Sequence, residues 1–188
     1  MTIGHVGIDA GQQVRSDLED LLARAAAHCP QIDLACTHVV DAPESHWAGS
    51  LRVTAPLDVT TLGDVLGPAV TIVDGDGRSS GPAYRRTGAR DAMSQLAQRR
   101  AGRAVLFPGQ DRLVGDMAAE DVASLSAIDR LVGLAGTPTS GVRLATRDFV
   151  RPEFVDGELI LRVRPYDADD VVAPFEVPHP TPCCALHA

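Results

Sequence analysis

Hydrophobic positions switch along this chain between a period of two and a period near 3.6, the two repeats that separate strands from helices. Residues 3–10 alternate as a short strand whose glycines weaken it. Leu18, Leu21, Leu22, Ala25 and Ala26 then recur at helical spacing behind a Ser16/Glu19 capping box, and Pro30 ends that helix. From Gln31 to Val40 the alternation returns and puts Ile32, Leu34, Cys36, His38 and Val40 on one face. Leu51 and Val53 mark a further strand, and Thr61 to Leu66 a short helix closed by Gly67-Pro68. Ala69 to Val73 is a continuous apolar run between turn residues. That pattern suits a strand covered on both faces, as in a mostly parallel sheet.

The second half begins the same way. A helix is expected from a Thr87 cap to Ala101, with Met93, Leu96 and Ala97 as its stripe, and Ala104 to Phe107 is a short buried strand. Asp116 caps a further expected helix whose face is Val122, Leu125, Ile128, Leu131, Val132 and Ala135. Beyond Pro138 only strands are predicted: Val142 to Thr146, Phe149 to Val155 and Glu158 to Val163. The last two flank Asp156-Gly157, a two-residue link suited to a type I′ hairpin, and Pro152 belongs at an edge. The expected architecture is a single α/β domain over residues 1–166. Its sheet is mixed and mostly parallel, flanked by helices and extended by a C-terminal antiparallel hairpin. Residues 167–188 follow as an acidic, then proline-, cysteine- and histidine-rich tail.

Composition narrows the classes of function. With 45% hydrophobic and 22% charged residues the chain has ordinary globular make-up. It shows neither a long apolar span nor a charged-then-apolar N-terminus, so a soluble cytoplasmic protein without a membrane partner is expected. A net charge of −8 argues against broad nucleic-acid binding. All 17 basic residues are arginine, which excludes Schiff-base chemistry, a P-loop lysine and a lysine general base.

Three functional expectations follow. The leading one rests on the tail, where Cys183, Cys184 and His187 are soft ligands suited to zinc or copper, with His179, Cys29 or His38 as additional donors. The adjacent cysteines also suit a strained, easily reduced disulfide, hence a thiol redox sensor. Against this, no C-x-x-C pair occurs, and the proline path sets His179 about 12 Å from Cys183. An inert terminus is the plain alternative.

The second expectation is a small enzyme at the C-terminal end of the Ala69–Val73 strand. There Asp74 and Asp76 would hold Mg²⁺ or act as acid and base, and Arg85 and Arg86 would take a phosphate or carboxylate of a small-molecule substrate. His38 on its strand, and His46 beside Asp41, Glu44 and Trp47 in an expected loop, are the candidates to ring a metal or to act in proton transfer. A tight Asp-Gly turn and a hydrogen-bonded core histidine are the competing structural readings. The third expectation is an assembly module whose tail docks on a partner or on a second copy, giving a homo-oligomer.

Overall fold

A computed structural model of the chain describes residues 4–42 and 44–178. Its contacts divide the chain into two compact units, the first comprising residues 1–108 and 153–159 and the second residues 109–152 and 160–188.

The first unit begins β1 (Gly4–Gln12), α1 (Arg15–His28), β2 (Ile32–Asp41), β3 (Ser45–Val53), α2 (Val59–Leu66) and β4 (Thr71–Asp74). It continues through β5 (Ser79–Ser80), a 3₁₀ turn at Ala83–Arg85, α3 (Arg86–Ala97) and β6 (Arg103–Leu106), and takes in β10 (Glu153–Val155). The strands lie in the order β5-β4-β1-β3-β2-β6-β10. Because β1 lies between β3 and β4, each helical crossover skips one strand: α1 joins β1 to β2 across β3, and α2 joins β3 to β4 across β1. This βαββαβ plan of split βαβ units is the ferredoxin-like arrangement, here with extra strands and a third helix.

The sense of pairing corrects the expected fold class. Here β1 is antiparallel to both β3 and β4, and β2 to both β3 and β6, so the sheet is mainly antiparallel and not mostly parallel. The apolar run at β4 does report burial on both faces, since Thr71, Ile72, Val73 and Asp74 are all buried. Helices on opposite faces produce that burial, and strand direction plays no part in it. On one face α1 and α2 cover a core built from Val6, Ile8, Leu18, Leu22, Leu51 and Leu62. On the other lies α3, whose buried positions are Gly88, Ala89, Ala92 and Leu96. Three of these are small, so the helix backbone rides close to the sheet. A Cβ added at Gly7 would stand 1.8 Å from the Ala89 carbonyl oxygen.

Local signals set the helix ends. Asp58 caps α2, its carboxylate accepting from the Thr60 and Thr61 amides. In α1 the capping box does not form: the helix starts at Arg15, and Glu19 accepts instead from the Arg103 guanidinium at 2.8 Å.

The second unit contains β7 (Asp116–Ala118), α4 (Val122–Leu125), β8 (Arg130–Gly133), β9 (Arg143–Ala145), most of β11 (Glu158–Tyr166) and β12 (Ala168–Pro174). Its order is β11-β12-β9-β7, with β8 on β11, and its β8–β11 and β9–β12 ladders are parallel. The long helix expected after Asp116 is reduced to one turn. Ser126 ends it by donating its amide and its hydroxyl to the Val122 carbonyl, while its Oγ accepts from the Ile128 amide. Serine competes with the helical ladder in this way, and Leu131 and Val132 pass into β8. Residues 168–174, expected to begin the tail, form β12. The Asp156-Gly157 turn forms with positive φ at both residues, 52° and 88°. No helix among the described residues is long and apolar enough to cross a membrane.

Candidate functional site

The face of the first sheet beneath α3 is unusually polar. Alternation along β1, β2 and β3 turns Asp9, His38, His46 and Ser50 toward the helix, and all four are buried. They form two separate groups, one near each end of α3.

At the C-terminal end of the helix, His38 lies between β3 and α3. Its Nδ1 is 3.2 Å from Gln95 Oε1 and its Nε2 is 2.7 Å from Ser50 Oγ. Gln95 donates its own amide nitrogen to Asp91, which turns Oε1 toward the imidazole. The amide oxygen can only accept, so Nδ1 carries the hydrogen and Nε2 accepts from the serine hydroxyl. Burial pushes the His38 pKa down to about 4. Both nitrogens are thus occupied, and the ring is a neutral core group held against the sheet.

At the N-terminal end, Asp9 of β1 is 0% exposed and meets side chains from two other elements. His46 Nε2 is 2.9 Å from Asp9 Oδ1. The Gly11 amide donates to the same oxygen at 2.8 Å, and Arg85 Nη1, arriving from the 3₁₀ turn, donates at 3.5 Å. The other nitrogen of His46, Nδ1, lies 2.7 Å from the Glu44 carbonyl oxygen. A carbonyl only accepts, so Nδ1 carries a hydrogen and any proton the ring exchanges moves along the Nε2–Oδ1 line.

The second carboxylate oxygen, Asp9 Oδ2, is buried with no hydrogen-bond partner. It faces the first turns of α3: a Cβ at Gly88 would stand 2.2 Å from it, so only glycine leaves the carboxylate room there. In the same first turn the Nε–H of Arg86 is also buried and unpartnered. Arg85 is the outward member of the group. Its side chain is 23% exposed, its Nε donates to Tyr84 Oη at 3.3 Å, and its guanidinium lies 5.1 Å from the centroid of the Tyr84 ring. The site is therefore a buried carboxylate and imidazole with two arginines at the mouth of α3.

Comparison of the chain with protein-family models, curated proteins and solved structures gives no match.

Other expected site residues lie apart from this group. Asp74 and Asp76 occupy the β4–β5 turn, where Asp74 Oδ1 accepts from the amides of Asp76 and Arg78. Arg78 pairs with both carboxylates, so the charge facing them is a guanidinium of the same turn. Cys29 and Cys36 are buried free thiols, and burial pushes the Cys36 pKa up to about 12, far from thiolate chemistry. The described residues contain no group of three or more His, Cys, Asp or Glu able to hold a metal ion. His179, Cys183, Cys184 and His187 lie outside the described residues. Three nearby arginines point to different partners: Arg103 is on Glu19, Arg100 near Asp91, and Arg99 over Phe154. A cleft of about 370 Å³ between α2 and β5 has Asp64 as its only ionisable lining residue and offers no catalytic pair.

Sequence reasoning singled out His46, Arg85 and Arg86 but missed Asp9, the residue that connects the first two. Its one signal was a carboxylate at an inward position of an alternating strand.

Proposed function

We propose that the first unit binds a small molecule through a carboxylate or phosphate group, with Arg85 and Arg86 as the anion-holding residues and the Asp9–His46 pair fixing Arg85 from beneath. The observation that carries this is the convergence on one buried carboxylate oxygen of groups from three elements; of the two side chains among them, His46 is buried and Arg85 reaches solvent. Guanidinium N–H groups outside its two long bonds suit a planar or tetrahedral oxyanion. In a chain of net charge −8, two adjacent arginines held at a helix start form a local exception that an anion would find.

His46 acts here through Asp9. Its nitrogens are both engaged and its side chain is 4% exposed, which suits positioning and proton exchange with Asp9 better than direct attack on a ligand. The test is calorimetric titration of the full chain at low salt with acetate and with inorganic phosphate. Saturable binding in the millimolar range or tighter is expected for at least one of them. Arg85→Ala should weaken it about tenfold or more, whereas Arg24→Ala, an exposed arginine on α1, should not. Absence of saturable binding to either anion would end the proposal.

A further inference from the structure

We infer that the ligand of this site is a planar aromatic ring that directly bears the anionic group, an inference that rests on the reading of Arg85 given above. Tyr84 precedes Arg85 in the 3₁₀ turn Ala83–Arg85 and is 67% exposed. The turn is anchored at its start: the Pro82 carbonyl accepts from the Thr71 hydroxyl at 2.6 Å and from the Arg85 amide at 3.3 Å. At its end it runs straight into α3. Tyr84 is therefore an exposed aromatic residue on an anchored segment, unlike one carried at the tip of a loop.

Its ring and the Arg85 guanidinium already touch, so the two functions of the surface are adjacent. One is a cation with donors to spare, and the other is an aromatic ring that stays 67% exposed although the Arg85 guanidinium lies over one of its faces. An anion on a flexible aliphatic chain would use only the first. A ring with its carboxylate or phosphate attached directly is short and stiff enough to place charge on Arg85 and stack on Tyr84 at once, as offset ring pairs prefer. The buried layer behind is closed, since Asp9 and His46 leave no space for the ring. The ring must therefore lie on the Tyr84 side.

The test compares matched pairs of ligands on the full chain by calorimetry: benzoate against acetate, and phenyl phosphate against inorganic phosphate. At least one ring-bearing anion should bind about 3- to 10-fold more tightly than its ringless partner, the reach of one aromatic contact. Whichever pair shows the increment names the charged group. Tyr84→Ala should bring the ring-bearing anion down to the value of its ringless partner on the same variant, and Tyr84→Phe should keep the increment. Equal binding within both pairs, or an increment that survives in Tyr84→Ala, overturns the inference while leaving the anion site standing. Failure of both acetate and inorganic phosphate to bind removes the anion site and this inference with it.

Discussion

His46 Nε2 stands 2.9 Å from Asp9 Oδ1, and the two side chains are 4% and 0% exposed. The pair ties β3 to β1 on the face covered by α3, where burial shuts both side chains off from solvent. Removing one member of a buried pair leaves an uncompensated polar or charged group and costs about 3–5 kcal/mol. Asp9→Ala and His46→Ala should therefore each lower unfolding stability by about 3 kcal/mol, read from urea midpoints. The double variant should lose clearly less than the sum, because the second deletion removes the group that the first stranded. Additive losses would show that the two do not interact.

Gly88 makes room for that same carboxylate. Adding a methyl group there places it 2.2 Å from Asp9 Oδ2, well inside contact distance, although in a helix interior alanine would otherwise be preferred by about 1 kcal/mol. Gly88→Ala should destabilise the protein by about 2 kcal/mol or more through overpacking. In an Asp9→Ala background the same substitution should become neutral or stabilising, since the oxygen it strikes is gone. A loss of equal size in both backgrounds would mean that the crowding arises elsewhere on α3.

The soft ligands of the tail allow a separate experiment. If Cys183, Cys184 and His187 bind zinc or copper, deletion of residues 178–188 should abolish metal retention, measured by elemental analysis of protein incubated with each metal and then desalted. The buried Cys29 and Cys36 thiols and the doubly bonded His38 offer no replacement set. Retention that survives the deletion ends the reading.

Different parts of this structure were visible from sequence to different degrees, for physical reasons. Alternation through β2 located His38 on a buried face, because a strand fixes side-chain direction with a period of two. Asp156-Gly157 announced its turn because few residue pairs accept positive φ twice. The apolar run at β4 reported burial but not pairing sense. Direction is a property of the neighbours, and its neighbours β1 and β5 are far along the chain or only two residues long. His46 was expected in a loop because Ser45 to Ser50 has no apolar alternation. It joins β3 through pairing of Val40 with His46 and Asp41 with Ser45. Asp9 was passed over because its value as a site residue lies entirely in partners from β3 and the turn before α3, which no local pattern encodes.

His38 makes stability depend on pH in a defined window. In the unfolded chain its imidazole takes a proton near pH 6.5, whereas burial keeps the folded ring neutral down to about 4. Between those values the unfolded state binds more protons, so stability falls as pH is lowered, by a total of about 3 kcal/mol once the lower value is passed. His5 adds a slope of the same sign, its pKa lowered by burial and then by the Arg52 guanidinium. The carboxylates of Asp58 and Glu120, both lowered chiefly by backbone amides, contribute only at more acid pH. His38→Gln keeps one donor and one acceptor toward Gln95 and Ser50 but cannot titrate. The variant should therefore lose less stability than the parent between pH 6.5 and 4, whatever its stability at neutral pH, and parallel curves over that interval would show that His38 does not take up the proton.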